Sequence, residues 1–127
     1  MEHILRELKQ YWPHFENADI AKAYHDELEK FETWIKEVGL KLLALRAKEA
    51  AEKGNPVARD YPEEYIKGLI RRGQAKILVN MFAAYLVSKG KATQYWLIKN
   101  KFVAGGESIA TWIRLLKKIY TPNSSAV

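Results

Sequence analysis

The stretch from Gly90 to Lys118, GKATQYWLIKNKFVAGGESIATWIRLLKK, holds two short helical patterns with a glycine-bearing corner between them. Thr93 is a good N-cap for a helix of about two turns, QYWLIKNK. The glycine pair at 105 and 106 lets the chain turn sharply, and Glu107 or Ser108 opens the last helix. The expected inward positions of that helix are Ile109, Trp112, Ile113 and Leu116.

The rest of the chain has the same helical spacing, with apolar residues three and four apart and no alternating run typical of a strand. A long helix from Asn17 or Asp19 to Lys53 is predicted, with GNP at 54–56 as a strong stop. Asp60 is the expected N-cap of the next pattern, which runs to Lys89 with a break near Gly73. The fold class predicted is all-α, with the long N-terminal helix packed with or beside a C-terminal trihelical core.

Apolar residues of the long helix alternate steps of four and three, the period of a coiled-coil seam. This spacing favours pairing with a second copy, although packing inside the same chain explains it about as well. We therefore expect a homodimer whose contacts come from Tyr24, Leu28, Phe31, Ile35, Val38, Leu42 and Leu45.

The net charge of +6 is unevenly distributed. Residues 1–60 hold 10 lysines and arginines against 12 acids, whereas residues 61–127 hold 11 against 3. Such an asymmetry is typical of a polyanion-binding module joined to another region. We therefore predict two regions, a helical dimerisation or scaffold region at 1–60 and a basic nucleic-acid-binding region at 61–127.

Cations and short polar side chains on the outer faces of the C-terminal helices are the candidate nucleic-acid contacts. Short residues allow close approach to a major groove, and long cations hold base edges or phosphates. Trp96 is the best candidate of the four tryptophans for stacking on an exposed base. The predicted contacts are Arg71, Arg72, Lys76, Lys91, Thr93, Gln94, Lys99, Lys101, Ser108, Thr111, Arg114, Lys117 and Lys118.

The segment resembles the helix-turn-helix family, in particular the trihelical core of winged-helix regulators. The residues that carry the resemblance are Gly90, Thr93, Leu97, Ile109, Ile113 and Leu116, preceded by the helix at 77–86. The resemblance implies a dimeric transcriptional regulator that reads double-stranded DNA with the 107–118 helix, RNA being possible instead. Only TPNSSAV follows Tyr120, so a wingless version is expected.

A second resemblance supports an alternative. ILVNMFAAYLVSKGKA at 77–92, followed by a basic final helix with a tryptophan, is similar to the helical small subunits of type III CRISPR effector complexes. That resemblance implies a non-catalytic subunit that binds nucleic acid backbone. A third alternative is a helical scaffold whose basic half contacts an acidic protein.

Several function classes are not expected from this sequence. No serine lies in a nucleophile-elbow context and no glycine-rich phosphate loop follows a strand, so no catalytic residue is predicted. Cysteine is absent and the three histidines are not joined by acids at ligand spacing, so no metal or cofactor is expected. Without an apolar run long enough to span a bilayer or a secretory signal, we expect a cytoplasmic protein with no membrane contact.

Overall fold

The computed structural model describes residues 2–120, with the side chain of Glu107 left undescribed. Within that range the chain is helical and contains no strand, which confirms the all-α prediction. The segment after Tyr120, where the sequence predicts no wing, lies outside the described residues. The helices are α1 (Glu2–Gln10), α2 (Trp12–Glu16), α3 (Asp19–Ala23), α4 (Leu28–Trp34), α5 (Leu40–Glu52), α6 (Pro56–Asp60), α7 (Pro62–Gly73), α8 (Ala75–Ser88), α9 (Gln94–Lys99) and α10 (Glu107–Tyr120).

The predicted long helix is interrupted near its start. Tyr24 leaves helical geometry, with φ −121° and ψ 40°, and a 3₁₀ turn at His25–Glu27 follows. From Leu28 the chain is helical to Glu52, because a π-helical segment at Ile35–Gly39 joins α4 to α5. The prediction of one helix from Asn17 or Asp19 was therefore wrong in its first turns.

Gly39, in the π-helical segment of this long helical run, lies beside Met81 of α8. A Cβ at this position would lie 2.7 Å from the terminal Cε of Met81, which is inside the contact distance of two carbon atoms. Met81 is itself fully buried. Glycine therefore leaves space for the end of the Met81 side chain, which would have to move if a larger residue stood here.

The connection between α5 and α7 contains a short helix, α6, that the sequence analysis did not predict. Asn55 caps α6, because its Oδ1 accepts hydrogen bonds from the backbone N–H groups of Val57 and Ala58 at 3.0 and 3.1 Å. Asp60 does not cap α7, since it ends α6 and binds the side chain of Arg59 at 2.9 and 3.0 Å. The N-cap prediction for Asp60 was therefore wrong.

One hydrophobic core contains residues of both predicted regions. Its centre is a group of aromatic side chains from α2, α4 and α8, with ring centroids of Phe31 and Phe82 separated by 4.8 Å and those of Phe15 and Phe82 by 5.5 Å. The stripe on α4 thus packs against α8 of the same chain, and α5 packs against α6, α7 and α10.

This packing accounts within one chain for the residues that were predicted to form the dimer contact. Phe31 and Leu42 are fully buried and Ile35 is 2% exposed within the single chain, so these three side chains are covered without a second copy. The other four predicted seam residues are half-buried against the same core, namely Tyr24, Leu28, Val38 and Leu45. A spacing of three and four shows that one face of a helix is apolar, and here the covering partner is intramolecular. Self-association itself stays a prediction.

The C-terminal helices follow one another in the predicted order. The break predicted near Gly73 lies at Gln74, Thr93 caps α9 by accepting a hydrogen bond from the N–H of Trp96 at 3.1 Å, and α10 begins at Glu107. Helix α10 packs against α8 and α5. Its buried residues are Ile109, Trp112, Leu115 and Leu116, so Leu115 takes the inward position that was predicted for Ile113.

Candidate nucleic-acid interface

Residues 65–106 contain eight lysines and arginines and no aspartate or glutamate. This acid-free segment covers most of α7, all of α8 and α9, and the turn that follows. Carboxylates that meet its cations must therefore come from elsewhere in the fold. Which cations receive such a partner is decided by the tertiary structure, and this distinguishes two sets of residues among the candidate contacts.

The first set is paired with acids of the N-terminal half. Arg71 on α7 donates to the carboxylate of Glu7, which is almost fully buried on α1. Arg114 donates two hydrogen bonds to Glu49 at 2.7 and 2.8 Å, and Lys118 donates a third at 3.0 Å. The Arg114 hydrogen bonds, with a smaller contribution from Lys118, outweigh partial burial and lower the pKa of Glu49 to about 2.

These ion pairs hold the predicted DNA-reading helix against α5. The guanidinium of Arg46, also on α5, lies 5.0 Å from the ring centroid of Trp112. Glu49 accepts hydrogen bonds from two of the five N–H donors of the Arg114 guanidinium and so holds this side chain against α5. The structure therefore gives Arg114 an intramolecular partner that the sequence analysis did not foresee.

The second set surrounds α9, on a surface formed by Lys91, Tyr95, Trp96 and Lys99, which we call the α9 surface. Tyr95 is 62% exposed and Trp96 is 49% exposed, both unusual values for large aromatic side chains. The ammonium of Lys99 lies 5.6 Å from the ring centroid of Tyr95, one helical turn earlier. None of these cations has a carboxylate partner among residues 2–120.

The Trp96 ring is held in place by a hydrogen bond. Its Nε1–H donates to the hydroxyl of Tyr24 at 3.1 Å. A shallow depression of about 610 Å³ adjoins it, lined also by Lys91 and by the half-buried Gln94. Thr93 lines the same depression, although its hydroxyl is already used as the cap of α9. The depression thus combines a fixed aromatic ring with a cation and an amide.

The remaining predicted contacts lie outside the α9 surface. Lys76, Lys101 and Ser108 line a separate cleft between α8 and the turn that precedes α10. Arg72 is exposed on α7, Thr111 is half-buried on α10, and Lys117 is exposed near the end of that helix. The structure therefore does not bring the predicted contacts together in one site.

Tyr95 is the residue of the α9 surface that sequence reasoning missed. An aromatic residue at helical spacing is more often part of a core, so the tyrosine gave no reason to single it out. The available signal was Lys99 four residues later, a spacing that places a cation beside the ring on one helix face. No local pattern in the sequence indicates that Lys76 and Lys101 line the same cleft, because the two residues lie on different elements.

The described part of the chain lacks two further features. Within it, no three histidine, aspartate or glutamate side chains lie together as a metal site requires. Nor does any helix in residues 2–120 have the length and apolar character needed to cross a membrane. Comparison with protein-family models, curated proteins and solved structures finds no significant match to this chain.

Proposed function

We propose that the protein binds single-stranded nucleic acid through the α9 surface, without catalysing a reaction. Lysines contact the phosphates, and the rings of Tyr95 and Trp96 stack on unpaired bases. This proposal favours the backbone-binding alternative, a non-catalytic subunit of a nucleoprotein complex, over the DNA-reading regulator. The observation that carries it is the pair of adjacent, exposed aromatic side chains among cations that lack carboxylate partners in the described structure.

Charge supports the phosphate contacts. Residues 89–106 contain four lysines and no acid, so the potential around α9 is positive. An anionic strand is attracted to such a surface regardless of its sequence, and binding weakens as salt competes for the phosphates.

Aromatic exposure supports the base contacts. A duplex hides the faces of its bases, whereas a single strand can place them against an exposed ring. Because the hydrogen bond to Tyr24 already restricts the indole of Trp96, less side-chain freedom is lost on binding. Every base has a flat face, so we expect little sequence preference.

A regulator that reads double-stranded DNA is the second candidate. The succession of α8, α9 and α10, with Ser108 and Ala110 exposed in the first turn of α10, supports it. The ion pairs of Arg114 and Lys118 with Glu49 weigh against it, because these two cations of the predicted reading face already have a partner within the chain. Binding to duplex and single strand separates the two candidates.

The test is fluorescence anisotropy with a labelled single-stranded oligonucleotide and its duplex, across a salt series. Trp96→Ala is expected to weaken single-strand binding by about 1–3 kcal/mol, the usual contribution of one base–aromatic stack. Lys99→Ala is expected to reduce the salt slope by about 0.7, the value for one phosphate contact on a single strand. Lys48→Ala removes an exposed lysine from α5 and serves as the charge-matched control.

Intrinsic fluorescence provides a second readout. Trp34 and Trp112 are at most 4% exposed and Trp12 is half-buried, so quenching on binding is expected to come from Trp96. Trp96→Phe keeps a flat ring and is expected to lose the quenching while retaining most of the affinity. Tighter, sequence-dependent binding to duplex, unaffected by Trp96→Ala, would contradict the proposal and support reading by α10.

A further inference from the structure

A cleft of about 860 Å³ lies between α8 and the turn that joins α9 to α10. Its volume falls in the range of small-molecule sites. Its larger apolar lining residues, which we call the apolar floor, are Val79, Ile98, Phe102 and Val103, and polar and charged side chains line it as well. Such a combination is typical of a site that holds an organic body and fixes its polar end.

The polar side chains of the cleft are suited to an anion. Lys76 comes from α8 and Lys101 from the turn, and neither has a carboxylate partner in residues 2–120. Asn80 and Ser108 add an amide and a hydroxyl, both able to donate hydrogen bonds. No aspartate or glutamate is among the described side chains that line the cleft, so none of these side chains neutralises the two ammonium groups.

The backbone of Lys101 makes this lysine unusual. It has φ 61° and follows Asn100, the C-cap residue of α9. Its N–H donates to the carbonyl of Ile98 at 3.0 Å, and the N–H of Phe102 donates to that of Leu97 at 2.9 Å. This pattern is the helix-ending motif in which glycine is the favoured residue. The backbone therefore gives no reason for a lysine, whereas its side chain supplies a cation to the cleft.

We propose that this cleft binds a phosphorylated ligand of nucleotide size. The phosphate lies between Lys76 and Lys101, and the organic body rests on the apolar floor. Two sources carry this chemistry, a free mononucleotide and the 5′-phosphorylated end of a strand. The inference does not depend on the α9 surface, because the two sites share no residue.

Isothermal titration calorimetry with AMP, adenosine and inorganic phosphate tests the cleft directly. AMP is expected to bind with submillimolar affinity and more tightly than either of its parts. Lys76→Ala and Lys101→Gly are each expected to weaken AMP binding about tenfold or more, the effect of losing one charged hydrogen bond. The charge-matched control Lys48→Ala, on α5, is expected to leave it unchanged.

Lys101→Gly separates binding from folding. Glycine suits the positive φ at this position, so the melting temperature of this variant is expected to rise while AMP binding falls. A loss of binding through misfolding would lower both. Oligonucleotides with and without a 5′-phosphate distinguish the two sources of the ligand, since only the strand source predicts tighter binding of the phosphorylated one.

The proposal is overturned if wild-type protein binds neither AMP nor the 5′-phosphorylated oligonucleotide better than the unphosphorylated controls. It is also overturned if the two lysine variants bind AMP as the wild type does. Equal affinity for inorganic phosphate and AMP would show that the apolar floor does not contribute to binding, and would contradict a ligand of nucleotide size. Failure of these experiments leaves the Trp96→Ala result untouched, so the two proposals are tested separately.

Discussion

Replacement of Glu49 by glutamine tests whether α10 is held by α5 in solution. The change keeps the shape of the side chain and removes the charge that Arg114 and Lys118 share. Glu49 is only 19% exposed, whereas its two partners are 48% and 56% exposed. Exposed ion pairs contribute about 0.2–1 kcal/mol each to stability. The bidentate pair of Glu49 with Arg114 is expected to lie near the upper end of that range. We therefore expect Glu49→Gln to lower the free energy of unfolding by about 1 kcal/mol at neutral pH.

The pH dependence of this loss has a definite sign. The pKa of Glu49 is lowered in the folded protein from 4.5 to about 2, so its carboxylate stabilises the fold when it is charged. That contribution is fully present above the unfolded pKa and is lost as pH falls from 4.5 to about 2. The difference in unfolding free energy between the wild type and Glu49→Gln should therefore shrink towards zero over this interval.

Urea unfolding followed by circular dichroism, repeated at several pH values, measures this difference. Glu52→Gln is the matched control, because Glu52 is exposed on the same helix and has no ion-pair partner among residues 2–120. Equal stability of the two variants at neutral pH would refute the reasoning. Arg114 would then be free to contact DNA, and a reading role for α10 would regain support.

Two further predictions concern the backbone and the core. Gln74 has φ 53° and ψ −134°, a region that favours glycine, so Gln74→Gly is expected to raise the unfolding free energy by about 1 kcal/mol. Thermal denaturation checks this prediction, and a lower melting temperature would show that the glutamine side chain contributes more than its backbone costs. Ile35→Asp is expected to destabilise the protein by roughly 3 kcal/mol or more, because it places a charge in the core. If sedimentation showed a dimeric wild type and a folded, monomeric Ile35→Asp variant, the prediction that these residues join two subunits would instead be supported.

Local features of the fold were predictable from short stretches of sequence. The stop at 54–56, the break near Gly73, the Thr93 cap and the start of α10 all depend on residues within one or two helical turns. The same local rules failed at Asp60. Asn55 caps the intervening helix α6, and Asp60 is the last residue of that helix rather than the cap of α7. Boundaries set by competing caps are decided by whichever cap the surrounding packing accepts.

Composition and periodicity alone determined that this chain is helical, that its C-terminal half is basic and that α4 and α5 carry an apolar stripe. The tertiary structure decided what covers that stripe and which cations remain unpaired. Arg114 meets an acid 65 residues away, while Lys99 meets a tyrosine on its own helix. The physical reason is that helical spacing defines a face but not its partner, and charges pair by distance in space rather than by position along the chain.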